Sequence, residues 1–151
     1  MHKAVDMADF ETSLRGAGLR VTRPRVAVLE AVRDNPHVDS ATLAETVHDA
    51  LPTVSRQAIF DCLNALTETG LLRRIRPSGS PARYEIRRND NHHHLVCRSC
   101  GTVLDVECAV GAAPCLDASE DHGFVIDEAE VIYWGYCPEC SANHNDSSQK
   151  A

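Results

Sequence analysis

The second part of this 151-residue chain has almost no basic residues. Of 15 lysines and arginines only two lie beyond Arg88, against 11 of the 22 acidic residues. Residues 1–88 therefore carry +2 and residues 89–151 carry −9, which together give the net −7 of the chain. Only the first part can approach a polyanion, and a uniformly basic protein is excluded. Long apolar runs are also missing, since none approaches the roughly 18 residues of a membrane span. The N-terminal stretch MHKAVDMADF lacks the apolar core of a signal peptide, so a soluble, cytoplasmic protein with no membrane partner is expected. Aromatic residues make up only 5%, yet 43% hydrophobic residues suffice for packed cores and exclude a disordered chain. The length fits one domain or two small ones.

Cysteine, by contrast, is plentiful. Seven is an odd number, and without an export signal such thiols read as metal ligands or redox groups more readily than as disulfides. Four of them form two C-x-x-C pairs, Cys97 with Cys100 and Cys137 with Cys140, framed by Gly101 and Pro138. Four thiolates suit tetrahedral Zn²⁺, with Zn–S near about 2.3 Å. The 36 residues between the pairs exceed a compact zinc ribbon and have room for strands and a helix. An ion here would staple two ends of one subdomain and add folding energy that a unit of roughly 60 residues lacks. Free or redox-active thiols are the alternative. Cys108 and Cys115 are expected to be buried or idle, and Cys62 to serve in packing.

Residues 1–88 read mainly as helices. Phe10, Leu14 and Leu19 share a short segment ended by Gly16 and Gly18. Thr22 and Pro24 open a second helix, with Val28, Leu29 and Val32 on its apolar face and a stop near Asn35 and Pro36. A third starts after Asp39 or Ser40, carries Leu43, Val47 and Leu51, and is closed by Pro52. Ser55 caps a fourth, and Gly70 ends it. Its apolar face is Ile59, Cys62, Leu63 and Leu66; the other holds Arg56, Gln57, Phe60, Asp61 and Asn64. LLRRIR, the five-residue loop PSGSP and ARYEIR then predict an arginine-rich hairpin. Helices followed by a basic hairpin describe a winged helix-turn-helix. Past a joint at Asn89, Asp90 and Asn91, HHHLVC, TVLDVE and FVIDEAEVIYWGYC read as strands, with at most a short helix between Cys108 and Asp121. The expected class is α+β, with a winged helix over 1–88, a metal-binding domain over 89–141 and a mobile polar tail over 142–151.

In a strand, His92 and His94 point to one face and His93 to the other. Asp105 on the next strand can face the same pair. Two imidazoles and a carboxylate suit Fe²⁺, Mn²⁺ or Zn²⁺. Solvated histidines are the plain alternative.

Five motifs in this order resemble the ferric uptake regulator superfamily of bacterial repressors: LRVTRPR (19–25), SRQAIFDCLNAL (55–66), RYE (83–85), HHHLVCRSCG (92–101) and YWGYCPEC (133–140). Within it the chain is most similar to the actinobacterial branch that represses catalase-peroxidase genes and to the peroxide repressor. The resemblance implies a homodimer with a winged-helix DNA-binding domain and a C-terminal α/β dimerisation domain. It implies structural Zn²⁺ on Cys97, Cys100, Cys137 and Cys140, and a regulatory Fe²⁺ or Mn²⁺ on His37, Glu85, His92, His94 and Asp105. Asp105 is of the peroxide-sensing kind, whereas Glu85 is of the iron-uptake kind. A third family site looks degraded: His93 replaces an acid, Asn91 a histidine and Ala129 a later histidine, leaving His93 with His122 as a substitute pair.

The function so implied is metal-dependent, redox-responsive repression through operator DNA, with the chain's own gene and catalase-peroxidase genes as targets and no small-molecule substrate. Arg56, Gln57, Phe60 and Asn64 would meet the major groove, with Phe60 against a thymine methyl, while Arg20, Arg23 and wing arginines such as Arg76 would meet phosphates. Peroxide reduced at bound Fe²⁺ would lead to oxidation of His37 or His92; the rival route joins Cys97 to Cys100 and ejects zinc. The competing readings are an iron-supply sensor of iron-uptake genes, a non-haem iron enzyme, since two histidines and a carboxylate also serve oxygenases, and a zinc-stapled interaction module without DNA binding.

Overall fold

The computed structural model describes residues 9–77, 79–88, 92–107, 119–126 and 130–148, with side chains as far as Asn143. The chain divides into two compact units, Met1–Asn89 and Asp90–Ala151.

In the first unit, each helix begins where a short polar side chain can accept an otherwise unpaired N–H. Asp9 caps α1 (Phe10–Gly16), accepting from the Thr12 N–H. Thr22 caps α2 (Arg23–Asp34), accepting from the Arg25 N–H, and Pro24 lies in the first turn as expected. Val28, Leu29 and Val32 of α2 are fully buried. After α2 comes an unexpected two-residue strand, β1 (Val38–Asp39), too short to leave a period-2 signature. Asp39 then caps α3 (Ser40–Ala50), accepting from the Thr42 N–H at 2.9 Å. Ser55 caps α4 (Arg56–Glu68) through the Ala58 N–H at 3.1 Å. The turn between α3 and α4 is tied by Val54 N–H to the Leu51 carbonyl at 3.0 Å, and His48 Nδ1 lies 2.9 Å from the Val54 carbonyl. Gly70 takes φ +77°, the left-handed value that ends a helix most cheaply without a Cβ.

Strands β2 (Leu72–Ile75) and β3 (Arg83–Ile86) form the expected hairpin, in register Arg73↔Glu85 and Arg74↔Tyr84. Seven residues, not five, separate them, because pairing stops at Ile75↔Arg83. β1 adds to the far side of β3, giving the order β1-β3-β2. Leu14, Leu29, Leu43, Ile59, Leu63 and Leu66, each at most 1% exposed, anchor one core beneath this sheet and the helices.

The second unit holds β4 (His92–Cys97), β5 (Val103–Glu107), β6 (Ile132–Gly135) and α5 (Pro138–Ser148). The sheet order is β5-β4-β6, with β4 antiparallel to β5 and parallel to β6. Two expectations change here. Among the described residues of the strand expected over 124–137, only 132–135 belong to a strand; Phe124, Val125 and Ile126 are apolar and β-prone, but they are exposed and outside any strand. Apolar character reports burial potential, whereas a strand also needs an edge to pair with. Residues 142–148, expected in the mobile tail, belong to α5. That helix is polar all round and gives no periodic signal; it starts at Pro138, with Glu139 in its first turn and Ser141 N–H bonded to the Cys137 carbonyl at 2.8 Å. The helix considered between Cys108 and Asp121, with Cys108 and Cys115, lies outside the described residues apart from 119–121, which are not helical. Among the described residues no helix is long and apolar enough to cross a membrane.

Candidate metal centres and nucleic-acid face

The two C-x-x-C turns meet. β4 runs into the first and β6 into the second, and because the strands are parallel with Cys97 opposite Gly135, both turns leave the same end of the sheet. The sulfurs of Cys97, Cys100, Cys137 and Cys140 all lie within 4.8 Å of one another. Cys100 and Cys137 Sγ are 3.8 Å apart, close to the edge of about 3.8 Å that a tetrahedron with Zn–S of about 2.3 Å requires. The backbone prepares the site for negative charge. N–H groups of Cys100 and Cys137 aim at Cys97 Sγ, the latter at 3.3 Å, and bring that thiol down to about 6. Gly101, at φ +74°, bonds its N–H to the Cys97 carbonyl and closes this turn. The opposite occurs at Cys140. The Ser99 hydroxyl favours its thiolate, but Cys137, burial and the other two sulfurs outweigh it and push the thiol up to about 12. Four thiolates cannot crowd together without a cation among them, so the donor set fits Zn²⁺. No disulfide joins the described cysteines.

The first unit contributes His37 and Glu85, and the second His92, His94 and Asp105. In the first unit, His37 Nε2 lies 3.2 Å from Glu85 Oε2, with the side chains 10% and 5% exposed. His37 is bent to φ +65°, an uncommon conformation for a residue with a Cβ. It is held there by its own N–H to the Tyr84 carbonyl at 2.9 Å and by Arg83 Nη1 donating to its carbonyl at 3.3 Å. The missed strand β1 follows immediately, so pairing with β3 is what fixes His37 beside Glu85. Sequence reading also missed Arg73, whose Nη1 lies 3.8 Å from Glu85 Oε1. The signal was the hairpin register, since a loop over 77–81 already puts Arg73 opposite Glu85.

In the second unit, β4 places His92 and His94 on one face, ring centroids 5.0 Å apart. Asp105 stands opposite His94 in the β4–β5 register, with Oδ1 3.4 Å from His94 Nε2 and 3.8 Å from His92 Nε2. His94 is fully buried. His93 points the other way, against the ring of Tyr133 at 6.2 Å. His122 is exposed and 3.6 Å from Glu120. Among the described residues neither His93 nor His122 joins a group of three potential metal ligands.

On α4, Arg56, Gln57 and Asn64 are exposed, and Gln57 Nε2 donates to Asp61 at 2.9 Å. Phe60 is half-buried and packs against the core, which accounts for an apolar ring beside polar neighbours. Arg20, Arg23 and Arg76 are exposed. Arg25 is half-buried and braces the turn before α2, donating to the Arg20 carbonyl at 2.7 Å.

The sequence pattern of the Ferric uptake regulator family matches residues 16–134. The chain is 63% identical over 140 residues to the transcriptional regulator FurA of Mycobacterium tuberculosis, covering 93% of this chain and 95% of that one. It is 62% identical over 129 residues to ferric uptake regulation protein 1 of Mycolicibacterium fortuitum, covering 85% and 80%. The fold matches the ferric uptake regulator of Helicobacter pylori at a TM-score of 0.68 and 18% identity, over 92% of this chain and 97% of that one. The chain belongs to the ferric uptake regulator family, and it is a transcriptional regulator, not an enzyme.

Proposed function

We propose that this member of the family is a cytoplasmic, metal-dependent repressor that binds operator DNA as a homodimer and lets go when it loses its regulatory ion or is oxidised. The observation that carries the reading is the separation of donor types. The thiols gather at one end of one sheet, whereas the first unit offers His37 with Glu85 and the second His92 with His94 and Asp105. Neither small set alone offers more than three donors. Together they supply the five that the family resemblance assigns to the regulatory site, and nitrogen with carboxylate oxygen suits Fe²⁺ or Mn²⁺. The four cysteines would hold Zn²⁺ as a structural staple.

When bound, the regulatory ion supplies one point of positive charge shared by ligands of both units. His37 and Glu85, as ligands of that ion, would then tie the winged helix to the sheet that carries His92, His94 and Asp105. In a dimer that pose sets the two α4 helices about one DNA turn apart, roughly 34 Å, or a multiple of it. Moving the population from mostly open to mostly closed takes about 5.5 kcal/mol of differential binding. Arg56, Gln57 and Asn64 lie exposed on α4 for base edges, with the partly exposed Phe60 beside them; Arg20, Arg23 and Arg76 are exposed for phosphates. Leu104, Leu95 and Tyr133 stand side by side across β5, β4 and β6, each 41–56% exposed, and offer a second copy an apolar row.

Peroxide is the signal we favour, with the chain's own gene and catalase-peroxidase genes as targets, because Asp105 is of the peroxide-sensing kind. Oxidation of His37 or His92 would remove a donor; a Cys97–Cys100 disulfide would remove two thiolates. The deciding experiment is DNA binding to the promoter of the chain's own gene, by zinc-loaded protein with Fe²⁺ or Mn²⁺, before and after dilute peroxide. Loss of binding in the iron sample alone, with one oxygen added to a peptide holding His37 or His92, is the expected result. A two-hydrogen loss across 97–100 would point to the thiols. Binding that follows iron supply but ignores peroxide would make the chain an iron sensor, and equal affinity after chelation of the regulatory metal would overturn the metal-dependent reading altogether.

A further inference from the structure

The Glu85 carboxylate is flanked on both oxygens. Oε2 lies 3.2 Å from His37 Nε2, and Oε1 lies 3.8 Å from Nη1 of Arg73, its partner across the hairpin. The Arg73 and Glu85 side chains are 14% and 5% exposed, so their attraction is weakly screened by solvent. A guanidinium carries a permanent charge. A divalent ion coming to Glu85 and His37 must share the carboxylate with that charge and sit near it.

We propose that Arg73 sets the metal concentration to which the regulatory site responds, by holding the Glu85 carboxylate in competition with the ion. The inference rests on the reading of Glu85 as a ligand of that site. Two effects of opposite sign follow. In the metal-free protein Arg73 stabilises a buried carboxylate, so its loss destabilises the fold. Toward the ion it is a like charge a few ångströms away, so its loss tightens binding. An arginine that merely buttressed the wing would, when removed, weaken both.

The test uses the full-length, zinc-loaded protein, with Mn²⁺ as the probe. Free Mn²⁺ is followed by electron paramagnetic resonance, and thermal unfolding is measured without Mn²⁺. Arg73→Met is expected to bind Mn²⁺ about tenfold more tightly, while its melting temperature without Mn²⁺ falls by roughly 4–8 °C. Arg73→Lys, which keeps the charge, stays near wild type in both. Arg73→Gln repeats the measurement should the methionine variant fail to fold. Unchanged or weaker Mn²⁺ binding on loss of the charge overturns the proposal. Glu85→Gln separates the two levels: it must weaken Mn²⁺ binding. If it does and the Arg73 variants bind no tighter, only the role of Arg73 falls; if it does not, Glu85 is no ligand and both readings fall.

Discussion

The two units are stabilised by different means. Among the described residues, the buried hydrophobic side chains of the second unit are Val96, Cys97 and Val103; all the others belong to the first. The first unit closes its helices with Asp9, Thr22, Asp39 and Ser55 and packs them on one core. The second has three short strands and a converging set of thiols, and leaves Leu95, Leu104, Tyr133 and Tyr136 exposed. The described part of this unit buries so little that it needs covalent, metal or subunit help. The lone tryptophan, Trp134, lies in the second unit with the Arg98 guanidinium 5.2 Å over its ring, so its fluorescence reports on that unit. The helical circular dichroism signal comes mostly from the first.

The largest effect that would test this contrast is loss of the thiol site. Structural zinc in small domains contributes about 10–16 kcal/mol, against a total stability of about 5–15 kcal/mol for a typical domain. Strong chelation, or Cys137→Ser, is expected to abolish the native Trp134 emission while most helical signal survives. Simultaneous collapse of both signals would show that the first unit does not stand alone. Next in size is Leu63→Ala. Leu63 is 1% exposed in the core, and truncating such a leucine costs about 2–5 kcal/mol. The helical melt should shift down with the Trp134 transition unmoved; a joint shift would break the division.

Smaller still is Ser55→Ala, which removes the cap of α4 and should cost about 1 kcal/mol in the helical melt. The smallest concerns pH. The Thr42 N–H, outweighing partial burial, holds Asp39 below its ordinary value of 3.8. The folded state therefore binds the proton less readily than the unfolded one. This stabilisation is fully present above the unfolded value and fades as pH falls through the folded one. Asp39→Asn keeps a capping oxygen and loses the titration. Its helical melt should decline less steeply than wild type below about pH 4, a comparison best made at 222 nm because acid also displaces metal from cysteines.

Much of this was legible in the sequence, for reasons tied to particular residues. Caps and left-handed glycines act within a few residues, so Thr22, Ser55 and Gly70 located helix ends directly. The thiol site was legible because a C-x-x-C turn prepares two ligands locally and zinc then asks only for a second turn. His92, His94 and Asp105 followed from strand alternation. What escaped depended on partners distant in the chain. β1 exists because β3 offers an edge, and the bend at His37 exists because Tyr84 and Arg83 hold it. Arg73 meets Glu85 only across the hairpin, where pairing of β2 with β3 brings together residues far apart along the chain. Helix α5 has no apolar face to announce it. The expectation that His37 is a ligand came from family resemblance alone, since nothing in its neighbours marks it.

The parallel pairing of β4 with β6 has a consequence for how the chain can vary. Because both cysteine turns emerge at the same end of neighbouring strands, their meeting depends on strand register and not on how many residues intervene. In general, doubling the length of a loop adds only about 0.6 kcal/mol of closure entropy. Insertions between Glu107 and Glu130 should therefore leave the geometry of the four sulfurs intact, making that stretch the natural place for the protein to acquire new surface without losing its staple.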